Sequence, residues 1–152
     1  MTRERAFDPV LGWRIWRVHE GLLRAVVWDV VWLPQLRFDA VCEDTPSPFS
    51  ESGHEHHLAP QVDCDCGVYA YKSREDAELL AREKVNGDVI ALGRVSLWGR
   101  VIEAERGYRA ERAYPYELEL LGGSKVLAAE LRDRYAVDVS TGPAVVPLHL
   151  AG

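Results

Sequence analysis

"DVIALGRVSLWGRVIEAERGYRAERAYPYELELL" (residues 88–121) is rich in β-branched and aromatic residues and broken near its middle by "ERG" (105–107). Val95, Leu97 and Val101 fall on one face by parity, and Arg94, Ser96 and Arg100 on the other. A period of two is the mark of a half-buried strand. After the break, Tyr108, Ala110 and Tyr114 share a face in the same way. Two such runs joined at a glycine-containing turn predict a β-hairpin over 94–114, and the chain reads as mostly antiparallel strands.

Upstream, "GWRIWRV" (12–18), "LLRAVVWDVVWL" (22–33) and "QLRFDAVC" (35–42) are enriched in Trp, Val and Ile, with Gly21 between the first two. They predict an antiparallel meander ending at Cys42. Residues 1–10 read as a polar lead-in, and residues 43–63 as a loop rich in Pro, Ser, Glu and Gly. "GVYAY" (67–71) is a short strand. "SRED" (73–76) places a serine hydroxyl where it caps a helix, and apolar residues follow at helical spacing, predicting a helix over 74–85 closed by "NG" (86–87). Ser124 caps a second helix bearing Leu127, Leu131 and Tyr135. "VDVS" (137–140) and "AVVPLHL" (144–150) read as closing strands. The expectation is a single α+β domain over 1–152, with a mainly antiparallel sheet or partly closed β-barrel, two helices and a zinc-pinned loop.

The bulk composition narrows the function. The formal net charge is −6, and arginines alternate with carboxylates, as in "SREDAELLAREK". This is a solvated, mixed surface and disfavours nucleic acid as a partner. The most apolar run, 22–33, is too short and too charged to span a bilayer, so no membrane partner is expected. "MTRERAFD" lacks the pattern of a signal peptide. Three cysteines are too few and too odd a number for a disulfide framework, which points to a reducing cytoplasm.

The cysteines carry the chemistry. Cys42 ends a predicted strand, and Cys64 and Cys66 follow the loop in "HHLAPQVDCDCG" (56–67). Two cysteines at i and i+2 reach one ion only if the backbone turns beside them, and Gly67 supplies that freedom. With a histidine they form a Cys₃His set, a standard tetrahedral zinc site. His54, His56 and His57 compete for the fourth position, and His57, nearest to Pro60, comes first. Asp63 and Asp65 are oxygen alternatives. The metal ligands expected are therefore Cys42, His57, Cys64 and Cys66, holding Zn²⁺, with an iron–sulfur cluster ranked below zinc.

The pattern of a cysteine, then "HLAP" (57–60), then "CDCGVYA" (64–70), then "LWGRV" (97–101) and "GYRAE" (107–111), resembles a group of small bacterial proteins with no assigned activity. The resemblance spans residues 12–138. It implies His57 rather than its neighbours as the histidine of the set, and it implies no reaction.

Other clusters read as structural. Glu103, Glu105 and Glu111 with Arg100 and Arg109 are taken as cross-strand charge pairs, and Trp13, Trp16, Trp28, Trp32 and Trp98 as packing. "GGSK" (122–125) lacks the spacing of a phosphate-binding loop. No catalytic residue is assigned. The functional expectation is a zinc-stabilised, non-enzymatic binding protein whose partner is a protein or a small molecule. The alternatives are a zinc-dependent hydrolase with an open metal position and Glu55 as base, and an RNA or modified-base reader on a small β-barrel.

Overall fold

A computed structural model describes residues 3–5 (backbone only), 9–27, 30–42 and 58–148. Along them run β1 (Arg3–Arg5), β2 (Val10–His19), β3 (Leu22–Arg24), β4 (Val31–Trp32), β5 (Phe38–Asp39), β6 (Val68–Tyr71), α1 (Arg74–Lys84), β7 (Val89–Glu103), β8 (Gly107–Leu121), α2 (Lys125–Tyr135) and β9 (Asp138–Gly142). The fold is α+β: a mixed, mainly antiparallel sheet with two helices.

The predicted hairpin is the spine. β7 and β8 pair antiparallel from Ile90↔Leu121 to Glu103↔Tyr108, with the turn closed by a 2.8 Å bond from the Ala104 amide to the Gly107 carbonyl. Register shifts at Arg94/Val95 and Trp98/Val101 interrupt the ladder. Gly99 sits in the second with φ +74. Such bulges increase local twist and let a long ribbon curl. β2 pairs with β7 from Val10↔Leu97 to Val18↔Val89. Beyond Leu97 that edge of β7 is open, and β1 takes it through Arg3↔Glu103 to Arg5↔Val101. The polar lead-in therefore contains a strand.

The run 22–33 is two short strands rather than one. It folds back through a 2.9 Å bond from the Ala25 amide to the Val30 carbonyl, setting Leu23 opposite Trp32. Both side chains are buried, which a single exposed-edge strand would not achieve. The doubling-back bears no glycine or proline; Trp28 and Asp29 lie outside the described residues.

Alternate residues of β2 and β7 face different layers. Ile15, Ile90 and Leu92 pack with Ala77 and Ala81 under α1. Trp16, Ala91, Val95 and Leu97 join Leu120, Leu131 and Tyr135 on the α2 side. With both faces covered, the start of β7 needs no alternation, and "VIAL" (89–92) is continuously apolar. Both helices have the predicted caps: Ser73 Oγ accepts from the Asp76 amide (3.2 Å) and Ser124 Oγ from the Leu127 amide (3.1 Å). α1 ends at Lys84 with Val85 already extended, so the left-handed residue is Gly87, outside the cap.

The second edge of β8 is shared by three short strands laid end to end: β6 against 107–110, β5 against 112–113, and β9 against 117–121. β9 runs parallel because α2 carries the chain back as a crossover. "AVVPLHL" is not a strand over 144–148. Val146 instead accepts a 3.1 Å bond from Arg82 Nε, and Pro147 lacks the amide a ladder needs. β6 also meets β2 at Trp13↔Tyr71, closing a ring of four strands, β2–β7–β8–β6. Gly12 permits this approach, since a Cβ there would stand 2.6 Å from Ala70 Cβ. Next to the bridge, Arg14 Nη1 donates to the Tyr69 carbonyl at 2.7 Å, its guanidinium 4.9 Å from the Trp32 ring centre. Burial lowers the Arg14 pKa to about 10, so it stays charged at neutral pH.

Candidate metal centre

β5 and β6 lie on one edge of β8 with a short breach between them. Asp39 pairs with Arg112, the Ala40 amide donates to the Glu111 carbonyl at 2.8 Å, and Val68 pairs with Ala110. The chain leaves the sheet after β5 and re-enters at β6. Cys42 stands just past the exit, and Cys64 and Cys66 just before the entrance. Strand pairing alone thus brings the three cysteines to one place.

Their sulfur atoms all lie within 4.8 Å of one another. Cys42 Sγ and Cys64 Sγ are 3.7 Å apart. Thiolates held at about 2.3 Å around a tetrahedral ion stand about 3.8 Å from each other, so this contact matches one edge of such a site. It is far longer than the roughly 2.05 Å of a disulfide, and all three cysteines are free. Cys42 and Cys64 are buried, and Cys66 is partly exposed. The group is one that could hold a metal ion.

Several contacts shape the loop that presents Cys64 and Cys66. The Cys64 amide donates to the Gln61 carbonyl at 3.1 Å, making a tight turn. Gly67 has φ +116, and a Cβ there would meet Pro60 Cβ at 2.9 Å and Arg109 Cβ at 3.2 Å. Only glycine fits both the backbone conformation and the space. Ala59 and Pro60 are buried beneath the turn. Tyr69 Oη donates to the Asp65 carbonyl at 2.7 Å.

Arg109, from the opposing strand, enters the same loop. Its Nη1 donates to the carbonyls of Gln61 (3.0 Å), Cys66 (2.9 Å) and Cys64, and Nη2 to that of Val62 (3.4 Å). The expectation of a cross-strand charge pair is corrected here: this guanidinium binds backbone carbonyls, not a carboxylate. The register that sets Tyr69 opposite Arg109 decides it, and no pattern in the sequence reveals that register. Glu103 and Glu111 do make surface pairs, with Lys72 (3.0 Å) and Arg112 (3.8 Å).

Crowded thiols resist ionisation. Burial, the hydrogen bond with Cys64 and the nearby sulfurs push the Cys66 thiol up to about 11, against the opposing pull of the Gln61 backbone. A bound dication reverses this balance, because a coordinating thiol is deprotonated outright.

Of the four ligands expected, Cys42, Cys64 and Cys66 come together. His57, with His54 and His56, lies outside the described residues, as does Glu55. Asp63 and Asp65, the oxygen alternatives, are exposed and stand outside the group. Among the tryptophans, Trp16 and Trp32 are buried, Trp13 and Trp98 are half-buried, and Trp28 lies outside the described residues. Two open grooves of about 410 and 390 Å³ run over β8 and β9, away from the cysteines. Their charged walls are largely self-paired, Arg94 with Glu117 (2.5 Å) and Arg74 with Glu119 (2.9 Å). No described helix is long and apolar enough to cross a membrane.

Comparison with known proteins finds no matching family model, no similar curated protein and no similar solved structure.

Proposed function

We propose that Cys42, Cys64 and Cys66 hold one zinc ion together with a histidine from the 54–57 stretch, His57 first, and that the ion is structural. The observation that carries this is the convergence of three sulfurs at the breach between β5 and β6. Three thiolates and an imidazole complete a tetrahedral shell, and a closed shell polarises no substrate. Such a site fastens the chain where it leaves and rejoins the sheet. Sulfurs that meet at a single centre suit one ion better than a cluster whose irons take separate ligands. The likeness of "HLAP" and "CDCGVYA" to the small bacterial proteins supports His57. Free thiols fit a reducing compartment such as the cytoplasm.

On this reading the protein acts by binding, its partner a protein or a small molecule, and not by catalysis. Cys66 as a residue is less buried than the other two, which favours the rival, a hydrolytic zinc with an open position, although within the ligand group all three are buried. Metal analysis of the purified protein is expected to give about one zinc per chain. A chelator then separates the two readings. With a structural ion the melting temperature falls on chelation; with a catalytic ion the fold persists and only an activity is lost. Protein purified under reducing conditions that binds no zinc overturns both.

A further inference from the structure

We infer that Arg109 is the positioning residue of the cysteine centre: its guanidinium gathers the loop carbonyls into the shape that converges the sulfurs, and supplies the positive charge that three thiolates leave unbalanced. This rests on the reading of the cluster as a metal site.

The geometry is specific to arginine. One planar fork collects the carbonyls of Gln61, Val62, Cys64 and Cys66, four acceptors within a six-residue loop. The Gln61 carbonyl also accepts from the Cys64 amide, and the Gln61 backbone acts on the Cys66 sulfur, so the same short turn links the fork to the thiols. Three of the four meet at Nη1 and the fourth at Nη2, and a lysine ammonium, a single nitrogen at a different reach from β8, cannot stand at both positions. Arg109 is also held from behind, its Cβ packed against Gly67, so strand β8 fixes where the fork sits.

Charge gives the second argument. Zinc with three thiolates and a neutral imidazole carries a net charge of −1. Among the described residues Arg109 has no carboxylate partner, and its four acceptors are neutral. The guanidinium that holds the cysteine loop is therefore not neutralised by a carboxylate. Groups that orient and balance the ligands of a metal change its affinity by about 10- to 100-fold when removed.

The test is a cobalt(II) titration of the full chain under reducing conditions, followed by the sulfur-to-cobalt charge-transfer band and by competition with a chromophoric chelator. Arg109→Lys is expected to bind cobalt about 10- to 100-fold more weakly than the unaltered protein while keeping a thiolate-type band. Arg112→Lys, on the same strand but paired with Asp39 (3.5 Å) and Glu111 (3.8 Å), is expected to bind as the unaltered protein does. Unchanged affinity in Arg109→Lys overturns the inference while leaving the metal site standing. Absence of a cobalt band in the unaltered protein overturns the metal site itself. Should Arg109→Lys fail to fold, nitrogen-15 spectra of the unaltered protein decide. Arg109 Nη protons that are resolved with zinc bound and averaged after chelation support the coupling; averaged signals with zinc bound overturn it.

Discussion

Two irregular stretches of chain are fastened to β8 by different means. The 33–37 connection is tied by phenols and aromatic packing. Tyr135 Oη donates to the Trp32 carbonyl (2.6 Å) and accepts from the Leu23 amide (2.8 Å). Tyr114 Oη donates to the Tyr135 carbonyl (2.7 Å) and accepts from the Gln35 amide (2.7 Å). The Trp32 ring stacks on Phe38 at 4.7 Å and meets Trp16 edge-on at 5.4 Å. The 58–66 stretch has a phenol contact too, Tyr69 Oη to the Asp65 carbonyl (2.7 Å), but from an exposed ring. Leu58 and Val62 point outward, 85% and 53% exposed, and the buried side chains are small: Ala59, Pro60 and Cys64. In the other connection Leu33 and Leu36 are exposed as well, and it is the flanking Trp32 and Phe38 that pack; beside 58–66 sulfurs and one guanidinium take the place of those rings.

The largest expected effect falls on the weakly packed side. Removing the ion with a chelator, or replacing one ligand by Cys64→Ala, is expected to lower stability by several kcal/mol, on the order of 10 °C or more in melting temperature. Calorimetry with and without zinc checks this. A chelator that leaves the melting temperature unchanged would show that the 58–66 stretch is held without metal. The packed side breaks by a smaller step. Tyr135→Phe keeps the ring and strips the Leu23 amide and Trp32 carbonyl of their partner in a buried place, at a cost of about 2 kcal/mol. That loss is expected to be the same with and without zinc, since the two fastenings share no group.

How much of this was legible in the sequence differs between the two sides. The 88–121 hairpin and both serine caps follow from local pattern: parity and cap chemistry. The strand expected over 35–42 is only Phe38–Asp39 and pairs with β8 instead of closing a meander, so Cys42 meets the "CDC" pair through that pairing and not as a strand end. Three further features do not follow from local pattern. The doubling-back at 25–30 carries no glycine or proline, and it sets Leu23 opposite Trp32. β1 has an edge to pair with because the pairing of β2 on β7 ends at Leu97. Arg109 reaches the cysteine loop because of a register fixed by the whole β6–β8 ladder. Each depends on a distant partner, and no window of sequence contains both members.

Acidity sharpens the contrast between metal-bound and metal-free forms. In the metal-free protein the Cys66 thiol is raised to about 11 from its ordinary 9.0. The folded form then holds this proton more tightly than the unfolded form. That contribution to stability is complete below about pH 9 and is lost as pH rises through about 11. With zinc bound the sign reverses on the acid side: protons compete for the sulfurs, so metal-dependent stability falls as pH falls. Melting curves are therefore expected to differ in shape: the zinc-bound form loses stability as pH falls, and the chelated form loses it as pH rises from about 9 to about 11. Parallel curves would mean that the sulfurs do not exchange protons for a cation.

The smallest effect tests how independent the two fastenings are. Tyr114 is only partly buried, and its hydroxyl bridges the Gln35 amide to the Tyr135 carbonyl. Water can reach this pair once the phenol is gone, so Tyr114→Phe is expected to lower stability by about 1 kcal/mol. Tyr114 and the cysteine centre hang on the same strand, at opposite sides of the β5 pairing. If β8 is the rigid element between them, Tyr114→Phe combined with Cys64→Ala gives the sum of the single losses within about 0.5 kcal/mol. A double variant departing from that sum by 1 kcal/mol or more would show that β5, two residues long, transmits slack from one fastening to the other.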